Sequence, residues 1–236
     1  ALQAFEMGLH VLIEKPIAST VAEAQQLIDA ARSAERILQV GHTERFNPAV
    51  AASLRVLEAP GYVVAERLGP FTGRSTDIDV VLDLMIHDLD IVAAMVDSPL
   101  KEVRSVGVPM FTGETDMAAA RLEFENGAVA QLSASRGSLE PSRKIRVFTR
   151  ERYVSIDCQS REVKSIRRTA GSEGALMQLS GEPIDVPDGD ALAAQDDDFL
   201  RAIEEKRAPV VTGEQGLRAL ALAEAVKQAL TIPIPG

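Results

Sequence analysis

The sequence has no tryptophan, one cysteine and three histidines among its 236 residues, and aromatic residues make up only 4% of it. Each scarcity removes a class of function. A single cysteine, Cys158, excludes an internal disulfide and suits a reducing compartment, so the cytoplasm is the expected location. Three histidines and one cysteine without close spacing supply no recognisable zinc ligand set, and no metal is expected. Nucleophilic serine or cysteine chemistry lacks support too, because there is no Gly-x-Ser-x-Gly elbow and Cys158 falls in an extended segment with no histidine near it. Basic residues are outnumbered, 25 Lys and Arg against 35 Asp and Glu, for a net charge of -10 and a pI near 4.9. That balance, with so few aromatic rings for base stacking, argues against a nucleic-acid surface. An anionic small molecule remains possible, since a pocket needs only a few well-placed arginines. The longest apolar-leaning stretch, Val80 to Val96, is interrupted by Asp83, His87, Asp88 and Asp90, so no membrane span is expected.

What is present suffices for one sizeable core or two modest ones, with 46% hydrophobic residues. Residues 1 to 9 read as the last turns of a helix, with Leu2 and Phe5 on one face and Gly8 as its C-terminal cap. His10-Val11-Leu12-Ile13 is short, β-branched and apolar on both faces, the pattern of a fully buried parallel strand. Glu14-Lys15-Pro16 stops it. Thr20-Val21-Ala22-Glu23 matches a capping box, followed by helical spacing at Val21, Ala24, Leu27, Ile28 and Ala31. Ile37 to Val40 is the next strand; it ends at Gly41-His42-Thr43-Glu44-Arg45-Phe46-Asn47-Pro48, where Asn47 can cap a helix that has Pro48 in its first position. Alternating strands and helices imply a parallel α/β layer.

From Gly61 the pattern changes. A strand (Tyr62 to Leu68) leads through a polar loop to a helix from about Asp79 to Val96. Six extended segments follow: Lys101 to Val108, Met117 to Phe124, Ala128 to Ser135, Lys144 to Thr149, Tyr153 to Asp157 and Glu162 to Arg168. Asn126-Gly127 is a hairpin signal, and short turns imply a large, mostly antiparallel, open sheet. Two helices close the chain, one from about Asp190 to Lys206 and one after the Thr212-Gly213-Glu214-Gln215 capping box. The acidic run Asp196-Asp197-Asp198 reads as a solvated face. The expected fold is α/β: an incomplete Rossmann-like parallel sheet (1–59), an α+β domain (60–209) and a C-terminal helix (210–236) that packs back toward the first part.

Chemistry concentrates at two places. Open α/β sheets bind ligands outside the carboxyl ends of their strands, where Lys15 would be presented, although a solvated turn lysine fits the same stretch. Asp83 and His87 stand four apart on a helical pattern, so a carboxylate there could fix the imidazole tautomer and raise its basicity. The surrounding Leu82, Leu84, Met85, Ile86 and Leu89 imply burial, which is costly for ionisable groups unless they are paired or functional. A satisfied core histidine is the alternative. His42 lies in a loop that could approach a ligand, and His10 starts a strand.

Glu14-Lys15-Pro16, the Gly41 to Pro48 stretch and Asp83-x-x-x-His87 together resemble the glucose-fructose oxidoreductase and inositol dehydrogenase family, Gfo/Idh/MocA. The resemblance covers essentially the whole chain. It implies NAD or NADP as cofactor and a sugar or cyclitol hydroxyl as the reacting group. Glu14, Lys15 and Pro16 would border the nicotinamide, with His42 and Arg45 also at the cofactor. Lys15 would bond the reacting hydroxyl, His87 would take its proton, and Asp83 would orient His87. Arg67-Leu68-Gly69-Pro70 and Ser75 to Asp90 resemble a bacterial branch acting on nucleotide sugars, which implies UDP-N-acetylglucosamine and its C3 hydroxyl, with Arg67, Arg74, Arg136 and Arg143 as diphosphate candidates. Alternatives are another sugar or cyclitol dehydrogenase, or a non-catalytic sugar-sensing or scaffold protein on the same fold. The family's Gly-x-Gly-x-x-Gly turn is absent, so roughly two βαβ units, about 60 to 80 residues, are expected before Ala1, and the 236-residue chain alone is expected to be inactive. An open sheet face leads us to expect a homo-oligomer.

Overall fold

The computed structural model describes residues 1–169 and 178–233. In α1 (Leu2–Glu6) Phe5 is buried, but Leu2, expected on the same inner face, is 45% exposed. Gly8 then turns the chain at a φ of +75°, which a side chain would resist. β1 (Val11–Glu14), α2 (Val21–Ser33) and β2 (Leu38–Gly41) form one strand-helix-strand unit in which β1 and β2 run parallel, Val11 opposite Leu38 and Glu14 opposite Gly41. The Thr20 capping box is formed in full. β2 is buried throughout, its second edge closed by Val40 N–H donating to the Val211 carbonyl at 3.0 Å. β1 is only half-buried, against expectation, because among the described residues it has a strand on one side alone. A 3₁₀ turn (Thr43–Phe46) follows, and Asn47 caps α3 (Pro48–Leu54) by accepting from Ala49 N–H.

The chain then builds a nine-stranded sheet. β3 (Tyr62–Leu68) is followed by a π turn (Val81–Met85) and α4 (Ile86–Val96). Next come β4 (Leu100–Val108), β5 (Met117–Phe124), β6 (Val129–Ser135), β7 (Ser142–Phe148), β8 (Arg152–Asp157), β9 (Glu162–Thr169) and β10 (Gln178–Gly181). After α5 (Ala191–Glu204) and α6 (Gly213–Gln228), β11 (Leu230–Thr231) completes it, in the order β10-β9-β8-β7-β3-β6-β5-β4-β11. Pairing is mostly antiparallel, with the Asn126-Gly127 hairpin between β5 and β6, but β3 runs parallel to β6 and β11 parallel to β4. β10 and β11 have four and two residues, too few to leave a period-two pattern.

Two apolar cores result. The smaller holds Phe5, Ile17, Ile28, Leu38, Val40 and Leu220; the larger holds the inner face of the big sheet under α4, with Ala219, Leu222, Ala223 and Val226. α6 is therefore a shared wall, turning Leu220 to one core and the other four to the second. It lies close on the small sheet: a Cβ at Gly216 would stand 2.6 Å from Val40 Cγ2. α5, read from the sequence with the second unit, instead packs on the 3₁₀ turn, with Gln195 accepting from Gln39 and Thr43. The acidic run is solvated only at Asp196 and Asp197. Asp198 is buried, accepting from Val210 N–H at 2.7 Å and pairing with Arg207 at 2.8 Å. No helix among the described residues is long and apolar enough to cross a membrane.

Candidate active site

The site forms where the carboxyl tips of β1 and β2 meet the start of the π turn. Because Glu14 lies opposite Gly41, the next residues, Lys15 and His42, leave the small sheet side by side. Gly41 lets the Glu14 carboxyl group lie close against β2, where a Cβ would sit 3.1 Å from it. Pro16 follows a cis peptide bond. Lys15 Nζ reaches across to the large domain, donating to the backbone carbonyl of Asp83 at 2.7 Å and standing 4.0 Å from Asp83 Oδ1. Burial lowers the Lys15 pKa; the nearby Asp83 opposes this and Arg67 adds to it. Lys15 is thus not a solvated turn lysine.

The helix expected from Asp79 opens differently. Asp79 Oδ1 accepts from Val81 and Leu82 N–H, and its Oδ2 pairs with Lys227 at 2.7 Å, which ties the start of the site helix to α6. The turn that follows is π, closing its bonds from i to i+5, so residues four apart no longer stack as they would in an α-helix. Among the described residues no hydrogen bond joins Asp83 to His87. The expected Asp83–His87 pair is replaced by a Lys15–Asp83 contact. Nδ1 of His87 is buried without a partner. Burial, then Arg67, Lys15, His42 and Arg143, hold the His87 pKa well below its usual value. Near neutral pH this ring is an uncharged base.

Several other expected contacts are otherwise engaged. Arg67, a diphosphate candidate, is buried in a two-point bond to Asp88, at 2.8 and 3.1 Å, and a third bond to Glu44 at 2.9 Å. Arg45, expected at the cofactor, is buried against Asp90 at 3.3 Å. His42 is 1% exposed, with neither ring nitrogen bonded, and burial with Arg45 and Lys15 nearby lowers its pKa to about 4. Neither His42 nor Arg45 presents a surface to a ligand. Arg136 is buried and donates to the Ser75 and Ile78 carbonyls, bracing the loop before the π turn. Arg74 remains exposed, and Arg143 is about half exposed at 3.8 Å from Glu44. His10 Nδ1 accepts from Ile37 N–H at 2.8 Å, closing the start of the β1–β2 pair. The Cys158 thiol is buried and pushed up to about 12 by desolvation, so it is inert.

The Gly41 to Pro48 stretch is therefore largely a clamp. Glu44 and Arg45 tie the 3₁₀ turn to β3 and α4 through Arg67, Asp88 and Asp90, and Asn47 donates to the Cys158 carbonyl at 2.9 Å. Asp79, Asp88 and Asp90 escaped the sequence reading as partners. Their signal was three carboxylates on or beside an otherwise apolar helix.

A parallel sheet tip that offers a lysine to a helix bearing a neutral, half-buried histidine can serve as an acid–base site, placed where α/β sheets bind dinucleotides. Fold and site together define an oxidoreductase of the NAD-binding Rossmann kind. Comparison with known proteins agrees: residues 1–42 match the description "Oxidoreductase family, NAD-binding Rossmann fold", and residues 64–155 match the GFO/IDH/MocA C-terminal domain. The chain is 41% identical to UDP-N-acetylglucosamine 3-dehydrogenase of Acidithiobacillus ferrooxidans over 96% of its own length and 73% of that protein's. A solved structure of that enzyme superposes with a TM-score of 0.89 at 40% identity, covering 97% of this chain and 73% of the other. The NAD-dependent scyllo-inositol 2-dehydrogenase of Bacillus subtilis is 26% identical over 58% of this chain and 44% of its own. An aldose-aldose oxidoreductase from Caulobacter crescentus shares the fold, with a TM-score of 0.77 at 24% identity over 97% of this chain and 72% of that one. The chain belongs to the Gfo/Idh/MocA family of oxidoreductases.

The residues present fit the nicotinamide end of NAD. Glu14, Lys15 and Pro16 lie at a parallel strand tip opposite Gly41, whose missing side chain keeps the tip open. No two glycines stand two apart in these 236 residues, so a Gly-x-Gly-x-x-Gly phosphate cradle is not among them.

Proposed function

We propose that this protein oxidises the C3 hydroxyl of UDP-N-acetylglucosamine with NAD or NADP. The observation that carries the reading is the Lys15 ammonium held on the first turn of the helix that bears neutral His87, in a chain 41% identical to an enzyme of that activity. When bound, the nicotinamide accepts the hydride from the reacting carbon. Lys15 donates a hydrogen bond to the reacting hydroxyl and His87 takes its proton, a task suited to a ring that is uncharged at neutral pH. Asp83 positions Lys15 through its carbonyl rather than orienting His87. Glu14 and Pro16 border the nicotinamide, and exposed Arg74 and half-exposed Arg143, which also stands near Glu44, meet the diphosphate.

We read the chain as a dinucleotide-binding unit and a sheet domain that divide near residues 58–61, acting in the cytoplasm. The open face of the large sheet carries Tyr62, Phe148 and Tyr153, with ring centroids 6.0 and 4.9 Å apart, and exposed Ile166 opposite Tyr153, and we place a homo-oligomer contact there.

Substitution tests the site. In the full-length gene product, Lys15→Met and His87→Ala should each lower turnover by about 100-fold or more while the protein stays folded. Turnover unchanged in both variants would remove the site.

A further inference from the structure

Three buried ring nitrogens at the site lack hydrogen-bond partners: Nδ1 of His87 and both nitrogens of His42. Buried polar atoms in native proteins are almost always bonded, so unpaired ones ask for an explanation. Two observations place both residues around Lys15. The β1–β2 register sets His42 beside Lys15, and Lys15 lands on Asp83, one turn before His87. The groups that weigh on the charge of His87 are Arg67 from β3, Lys15 from the tip of β1, His42 from the tip of β2 and Arg143 from β7. Arg45 and Lys15 do the same for His42.

The missing element is an acceptor for the non-reacting nitrogen of His87. A histidine base works best when that nitrogen donates to a fixed partner, which selects the tautomer. The Asp83 carboxylate makes no hydrogen bond to the ring and stands 4.0 Å from Lys15 Nζ instead. A neutral imidazole supplies one lone pair and one N–H, so His42 can accept from His87. Its low basicity also means that it accepts the hydrogen bond without taking the proton.

We propose that His42 is the positioning partner of His87, accepting its Nδ1–H through one buried water and leaving the Nε2 lone pair aimed at the reacting hydroxyl. In the reaction the substrate O–H breaks, its proton forms a bond to His87 Nε2, and Nδ1–H remains donated toward His42 through that water. The inference rests on His87 being the base. An active His87→Ala variant would therefore overturn that reading, separately from this one.

The test compares His42→Phe, which keeps the volume but removes both nitrogens, with His42→Gln, whose amide oxygen can accept. In the full-length gene product with NAD and UDP-N-acetylglucosamine, His42→Phe should lower kcat roughly 10- to 100-fold and shift the acidic limb of its pH profile, with both KM values unchanged. His42→Gln should restore part of the loss. Nitrogen-15 spectra of His87 should change from one tautomer to a mixture in His42→Phe. A folded His42→Phe protein with the normal pH profile and an unchanged His87 tautomer would overturn the proposal. If His42→Phe does not fold, the unsubstituted protein decides: an exchange-protected Nδ1–H on His87 supports it, and an Nδ1 without hydrogen contradicts it.

Discussion

His42 is neutral in the folded protein down to about pH 4 but titrates near 6.5 once exposed, so falling pH loads protons onto the unfolded chain first. Its contribution is intact above about pH 6.5 and is lost as pH falls toward 4, about 3 kcal/mol over that interval. Asp90 acts in the opposite sense. Burial raises its carboxyl to about 7 despite Arg45, so its contribution is present below the usual carboxylate range and lost as pH rises through 7. His42→Phe should therefore gain stability relative to the unsubstituted protein as pH falls from 6.5 to 4, measured by urea unfolding; parallel curves for the two proteins would contradict it. Arg67→Met leaves Asp88 and Glu44 without their shared cation and should lower stability by about 3–5 kcal/mol, again by urea unfolding; a loss under 1 kcal/mol would show that the network is solvated. Lys15 and His87 could be singled out from the sequence because their types and settings are local facts. Arg67 and Arg45 were misplaced because what consumes them, Asp88 and Asp90, lies 21 and 45 residues away.

At the scale of elements, signals complete within a few residues were read correctly: the capping boxes at Thr20 and Thr212, Asn47-Pro48, and the Asn126-Gly127 hairpin. The π turn was not legible, because Val80 to Val96 has the composition of one unbroken helix and no local residue type marks its wider start. The half-buried state of β1 was hidden for a similar reason, since apolar residues on both faces do not reveal how many strands lie alongside. α6 offers the sharpest test of packing. Gly216→Ala would normally stabilise a helix by about 1 kcal/mol, yet here the added methyl meets Val40. The expected result is a net loss of about 1–3 kcal/mol in thermal or chemical unfolding, and a gain would mean that α6 and β2 separate more readily than their contact suggests.

For the whole molecule, the order of parts followed from the sequence, whereas the parallel β3–β6 pair at the sheet centre and the return of α5 and α6 to the small sheet did not, because they depend on contacts between distant segments. That return couples the two cores and carries Lys15 to the helix of His87, so the proposed catalytic pair forms only when both halves are docked. The most direct measurement is transfer of deuterium from C3-labelled UDP-N-acetylglucosamine in the full-length gene product with NAD or NADP, read by mass spectrometry of the nicotinamide. The expected result is label in the reduced cofactor, matched by a 3-keto sugar nucleotide and abolished in Lys15→Met and His87→Ala. Reduced cofactor without label, or reduction by myo-inositol or glucose but not by the nucleotide sugar, would contradict it.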